Sequence, residues 1–229
     1  QYADDLVLLD KTKIGLQKAL DALHLYNVKN RLDLNVQKTK VIIFGKHPHK
    51  AFVKWFIGPQ LVCTTQCYKY LGVWFNDRGT SLKHRLETIK KSNSLIFALR
   101  RLHQNLPSPS AAAIMRVTGA KLFPAITYGL LAFPGKLDRL VDKIQTKAYK
   151  HILGIRRYAR AARVRSELGL ISYHVQAKAS VIKYYLSLVR APAHTMKSVL
   201  RHIFEEKGNP WNSFLNTAIQ DLSIVQEAI

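Results

Sequence analysis

Apolar positions along this chain follow two different periods, and the change comes near residue 77. Residues 1–10 alternate around an acidic pair, which predicts a strand, a tight turn at 3–5 and a return strand over 6–9. Between 14 and 30, Leu16, Ala19, Leu20, Leu23 and Tyr26 recur at three- and four-residue spacing, with charged residues elsewhere, predicting an amphipathic helix laid on a sheet. A polar turn at 35–40 then leads into the β-branched run 41–44, read as a buried strand. Three short apolar runs, 52–56, 61–65 and 68–75, are separated by Gly58-Pro59 and a polar stretch and predict a small antiparallel meander.

After residue 81 the period becomes helical. Leu86, Ile89, Ile96, Leu99 and Leu102 mark one stripe, which Pro107 and Pro109 end. Further helices are predicted over 108–122, 136–153 and 173–189, with a short pair at 198–206 and 211–222. There is no internal repeat and no low-complexity tract. The fold class expected is therefore α+β, divided into a β-rich part at 1–77, a helical region at 78–190 and a helical tail at 191–229. Trp55, Trp74 and Trp211 are expected to anchor cores.

Charge changes the picture. The 229 residues carry 36 Lys and Arg against 14 Asp and Glu, a formal charge of +22, far more than solubility needs. The excess is uneven: 11 basic against 5 acidic side chains in residues 1–75, and 25 against 9 from 76 onward. This implies a polyanionic partner for the helical part, with Arg156, Arg157, Arg160, Arg163 and Arg165 as the densest cluster, set against the plainer reading of a solvated helix junction. Five guanidiniums so close repel one another unless anions intervene. Tyr149, Tyr158, Tyr173, Tyr184 and Tyr185 could stack on bases, but their spacing suits helix packing better. Cys63 and Cys67 lack a histidine at ligand spacing and are expected to pack, in a reducing intracellular compartment. No apolar run reaches the roughly 18 residues of a membrane span, so no membrane partner is expected. His47 and His49, flanking Pro48, suit a solvent loop better than a metal site.

The vicinal carboxylates Asp4 and Asp5 are the candidate chemistry. Hard oxygen ligands at a hairpin tip suit Mg²⁺-assisted phosphoryl transfer, whereas a lone Asp-Asp pair more often caps a solvated turn. The order of the segments downstream of the pair shifts the balance. Tyr2-Ala3-Asp4-Asp5, a helix, LDLNVQKTKVIIFG and YKYLGVWF resemble, in that order, motifs C, D and E of reverse transcriptases. The later pieces RRL, LFPAITYG, YKHILGIRR and SELGL look like the region behind the polymerase core of non-LTR (LINE-type) retrotransposons, and the resemblance runs to about residue 190.

That resemblance implies a partial palm at 1–77 followed by a helical thumb. It implies that Asp4 and Asp5 are catalytic and hold two Mg²⁺ ions, with Tyr2 near the primer end. It implies that Lys38 or Lys40 protonates the leaving pyrophosphate, that Tyr70, Leu71 and Gly72 form a primer grip, and that Lys90, Lys91 and Arg101 join the arginines in holding nucleic acid. The partners implied are an RNA template, a DNA primer and a deoxynucleoside triphosphate; a nuclear location is implied by the family alone. The family's motif A aspartate, its motif B loop and its fingers lie upstream of motif C, and this sequence starts at motif C. Asp10, Asp21, Asp33 and Asp77 have no strand context beside Asp4 that would replace the missing carboxylate. The expectation is thus a truncated polymerase, inactive alone, or alternatively a non-catalytic basic module that binds nucleic acid.

Overall fold

The computed structural model describes residues 4–45, 53–129, 133, 140–190, 192 and 196–227. They form a mixed α+β structure in two compact units, Gln1–Thr80 and Ser81–Ile229. Tyr2, His47 and His49, and the N-terminal half of the expected opening hairpin, lie outside the described residues.

The first unit is built on helix α1 (Lys13–Asn30). Thr12 caps it, its Oγ1 accepting from the Gly15 N–H at 3.0 Å. Asp10 in turn accepts from the Thr12 N–H (2.7 Å) and hydroxyl (2.8 Å), and these bonds hold its carboxyl below the usual range. The helix ends at Arg31, which takes the left-handed conformation (φ 55°). Leu20 and Asn27 are its buried residues; Tyr26, expected inward, is exposed, because the face that continues Leu16 and Leu20 at helical spacing reaches Asn27 instead.

Five short strands come next: β1 (Lys40–Val41), β2 (Trp55–Ile57), β3 (Gln60–Thr64), β4 (Cys67–Tyr70) and β5 (Val73–Asn76). The expected single meander is two separate sheets. β1 lies parallel to β3, with Lys40 opposite Cys63, and β2 pairs antiparallel on the other side, with Trp55 opposite Val62. β4 and β5 form their own hairpin. The expected strand 68–75 breaks because Leu71 (φ 45°) and Gly72 (φ 82°) both take positive φ, which makes a two-residue turn. At the β2–β3 turn Gly58 has φ 57°, and the His24 ring of α1 lies 2.5 Å from where a Cβ would stand, so only glycine fits. The Gln17 side chain docks α1 on the open edge of β2: its Nε2 donates to the Phe56 carbonyl (2.8 Å) and its Oε1 accepts from the Phe56 N–H (3.2 Å).

The core of this unit is small: Leu20, Val41, Trp55, Ile57 and Val62, with Leu8, Leu16, Leu34, Val36, Ile43 and Val53 packed around them. The return strand expected at 6–9 does not form. Among the described residues no strand runs beside it to take its backbone hydrogen bonds, and Leu9 stands 86% exposed. Of the run 41–44 only Val41 is in a strand. Cys63, expected to pack, is an exposed free thiol, since Val62 is the one buried residue of β3.

The second unit contains α2 (Leu82–Gln104), α3 (Ala111–Thr127), α4 (Leu140–Ile152), α5 (Ala161–Glu167), α6 (Tyr173–Val189), α7 (Met196–Glu205) and α8 (Pro210–Glu227). Helix α4 packs against α2, α3, α5 and α6, and α6 carries α7 and α8. The core runs through Ile96, Leu122, Ile126, Val141, Ile144, Ala148, Tyr173, Ala177, Val181 and Leu188, and closes at Phe204, Phe214 and Leu215. α3 continues past Pro124 to Thr127 and so carries Ile126, wholly buried, into the core. On α2 the inward face is His84, Thr88, Ser92, Ile96, Leu99 and His103, so Leu86 and Leu102, expected inward, are exposed. Two polar groups there find partners within the unit, as Ser92 Oγ donates to the Thr88 carbonyl (2.7 Å) and His84 Nε2 lies 3.1 Å from the Tyr128 carbonyl, whereas both ring nitrogens of buried His103 have none among the described residues. No helix among the described residues is long and apolar enough to cross a membrane.

Gln145 of α4 is fully buried, yet its amide is used on both sides: Nε2 donates to the Ile171 carbonyl (2.9 Å) and Oε1 accepts from the Tyr173 N–H (3.2 Å). The Ile171 carbonyl has a second donor in Gln176, but the Tyr173 N–H sits in the first turn of α6, where no carbonyl of the helix reaches it. Gln145→Leu is expected to lower the stability of this unit by about 1–3 kcal/mol in urea unfolding. A change under about 0.5 kcal/mol would mean that the N–H finds water instead.

Candidate nucleic-acid interface

Helix α4 has two chemically distinct faces. Val141, Ile144, Ala148 and Tyr149 point into the core, while Lys143, Lys147, Lys150 and His151 recur at four-, three- and one-residue steps on the outer side. With Ile155, Arg157, Ala161 and Arg165 they line an open cleft of about 850 Å³. Among the described residues, Asp142 is the one carboxylate in its wall. It is already committed: both its oxygens accept from Ser172 Oγ (2.7 and 2.8 Å), and one also accepts from the His174 N–H (3.1 Å) at the start of α6. The described wall of the cleft is therefore cationic, and its carboxylate is engaged elsewhere.

Several of these groups are held in place. Lys147 Nζ donates to Asn93 Oδ1 of α2 at 2.9 Å. Arg165 Nη1 reaches the buried Thr146 hydroxyl at 3.3 Å and keeps its other donors. Lys150 donates to the carbonyls of Arg157 (3.0 Å) and Ala159, so it ties the loop after α4 back onto the helix. His151 has Arg100 Nη1 of α2 at 3.4 and 3.5 Å from its two ring nitrogens and the Phe97 ring at 5.0 Å. Burial first, then the charges of Arg100 and Lys147, lower its pKa.

The arginines read as one cluster are in fact divided. Arg157 and Arg165 face the cleft. Arg163 lies on the outer side of α5, bonded to Glu167 at 2.7 Å, and Arg160 is exposed at the N-cap of that helix. Arg156 donates to the Tyr158 hydroxyl at 2.8 Å, outside the cleft wall. Lys90 is exposed and pairs with Glu87 at 3.2 Å; Lys91 and Arg101 are exposed on α2 and do not join the cleft. The split has a geometric cause: on the seven-residue helix α5, Arg163 and Arg165 are two apart and so face different ways. Lys143, Lys147, Lys150 and His151 are absent from the residues expected to bind, although their helical spacing on a basic stripe is visible in the sequence.

In the first unit, Asp4 and Asp5 are both exposed, Asp4 in a turn and Asp5 at an isolated bridge. Among the described residues no group of three His, Cys, Asp or Glu side chains is placed to share a metal ion. Asn35 folds the turn before β1: its Oδ1 accepts from the Lys38 N–H (3.0 Å) and its carbonyl from the Thr39 N–H (3.0 Å) and hydroxyl (2.9 Å). Lys38 is exposed, its carbonyl taken by the Tyr68 hydroxyl (3.1 Å), while Lys40 is half-buried in β1. Tyr70, Leu71 and Gly72 sit at the tip of the β4–β5 hairpin. Leu71 is a non-glycine residue in the left-handed region, a conformation that costs about 1–2 kcal/mol.

No family model, no curated protein and no solved structure matches this chain. The site rests on its own geometry.

The depressed pKa of His151 has a sign that can be checked. The unfolded chain binds this proton more readily than the folded one, so the contribution of neutral His151 to stability is present above its ordinary value of 6.5 and is lost as pH falls below it. An anion in the cleft favours the charged ring and reverses the shift. NMR titration of the histidine rings is expected to show His151 below its ordinary value in the free protein and higher when an oligonucleotide is bound. An unchanged His151 pKa on saturation would place the ligand elsewhere.

Proposed function

We propose that the helical unit binds nucleic acid through the α4–α5 cleft, and that the chain is part of an RNA-directed DNA polymerase of the LINE-type retroelement class. The cleft carries the first statement: Lys143, Lys147, Arg157 and Arg165 converge from a helix, a loop and a second helix on one space, and Asp142 beside them is bonded to Ser172. Such a cleft suits a phosphate backbone, where each cation displaces a condensed counterion. The charge of +22 supplies the long-range attraction that brings a polyanion to it.

The polymerase reading rests on the ordered resemblance from Tyr2 to about residue 190. The exposed, adjacent Asp4 and Asp5 have the oxygen chemistry that Mg²⁺ takes, and Lys38, Lys40 and the strained Leu71 turn belong to the same unit as that pair. When bound, the metal would polarise phosphoryl oxygens and lower the pKa of an attacking hydroxyl. Asp4 and Asp5 would hold such ions, and a two-metal site would call for a third carboxylate, which the described residues do not bring to the pair. In this reading the chain grips template and primer, and nucleotidyl transfer needs the family's motif A.

Fluorescence anisotropy against salt tests the binding. The quadruple variant Lys143→Gln, Lys147→Gln, Arg157→Gln and Arg165→Gln is expected to flatten the slope of log affinity on log salt by roughly 0.7–0.9 for each phosphate that the variant no longer neutralises. Arg163→Gln, whose partner is Glu167, is expected to leave it nearly unchanged. Equal slopes for wild type and quadruple variant would remove the cleft from the interface. Separately, the chain alone is expected to give no Mg²⁺-dependent primer extension. Extension that vanishes in Asp4→Ala would show the metal set to be complete in this chain and overturn that expectation.

A further inference from the structure

Of the five tyrosines that could stack on bases, the structure separates one from the rest. Tyr149 and Tyr173 are buried in the helical core, and burial raises the pKa of both hydroxyls. Tyr185 bonds Glu205 at 3.1 Å and, like Tyr184, packs on the Phe204 ring. Tyr158 is 76% exposed, against 46% for Tyr184.

Its backbone is nevertheless held. Lys150 of α4 donates to the carbonyls of Arg157 and Ala159, the residues on either side of it, and the Ala159 N–H donates to the Arg156 carbonyl at 3.0 Å. The ring itself is steered by Arg156, which donates to the hydroxyl at 2.8 Å while its guanidinium carbon stays 5.9 Å from the ring centroid. That contact holds the hydroxyl end and sets the guanidinium over one face of the ring, at the outer limit of a cation–π contact, so Arg156 leaves the opposite face uncovered. Arg157, the adjoining residue, lines the cationic cleft. An exposed aromatic with a fixed backbone thus stands one residue from a cleft whose positive charge suits phosphates.

Resting on the proposed nucleic-acid binding, we propose that this edge of the cleft selects single strands: phosphates lie along Lys143, Lys147, Arg157 and Arg165, and an unpaired base stacks on Tyr158. A duplex keeps its bases stacked on one another and offers Tyr158 no free face, whereas a single strand offers one at every nucleotide. Stacking of this kind tolerates any base, so the selectivity is for strandedness and not for sequence.

The test measures affinity of the full chain for a mixed-sequence single strand, the same strand in a duplex, and a single strand carrying abasic positions. Tyr158→Ala is expected to weaken single-strand binding by roughly tenfold, with duplex and abasic binding nearly unchanged, and Tyr158→Phe to retain wild-type affinity. Because the side chain is exposed, neither change should disturb the fold, which circular dichroism checks. If Tyr158→Ala weakens duplex and abasic strands as much as the intact single strand, or weakens none of them, the stacking role is wrong while cleft binding stands. If wild type binds none of the three, the proposed nucleic-acid function itself fails.

Discussion

The helical unit depends on how α4 is held. It must present an apolar side to its neighbouring helices and a cationic side to solvent, and any roll about its axis would push lysines into the core. Gln145 prevents that roll. Its buried amide bridges the Ile171 carbonyl and the Tyr173 N–H, locking α4 to the start of α6. Asp142, three positions earlier on α4 and so on a neighbouring face, holds Ser172 and His174 of the same turn. Two polar side chains about one helical turn apart therefore fix both the depth and the rotation of the helix that carries the cleft.

This arrangement also explains how so many like charges are tolerated. Lys147 is anchored to Asn93, Lys150 to two carbonyls and Arg165 to Thr146, so each cation sits against a neutral dipole and not against a carboxylate. The dipoles ease local repulsion without neutralising the site. The site keeps a net positive potential, and the lowered pKa of His151 keeps that ring from adding to it at neutral pH.

The β-containing unit is bound together more loosely. Its core of five buried side chains is small, and at the outer edge of β2 the Gln17 amide stands in for a strand. Apolar residues on its surface, Leu9 and Ile14 among them, lack cover from the described residues. Capping, by contrast, is strong: Asp10, Thr12 and Asn35 close turns through bonds spanning two to four residues, so local geometry is well defined even where the core is thin.

Local order was legible in the sequence. Helix α1 was expected over 14–30 and α6 over 173–189, and both formed at or next to those bounds, because helical period, the Thr12 and Ser172 caps and the absence of interior breakers are properties of neighbouring residues. Anything needing a distant partner was beyond the sequence by itself. The run 6–9 alternates like a strand but has no strand beside it among the described residues; 68–75 looks continuous but folds at Leu71-Gly72; and α2 buries His84 and Ser92 while exposing Leu86 and Leu102. Hydrogen-bond partners for strands, and the packing that makes polar burial tolerable, come from residues far along the chain. The cleft divides the same way. Sequence determined that the larger share of the positive charge lies after residue 76, but tertiary packing decided which cations gather, joining Lys143 and Lys147 to Arg157 and Arg165 and turning Arg163 away, because only the docking of α5 on α4 sets which side of each helix faces the other.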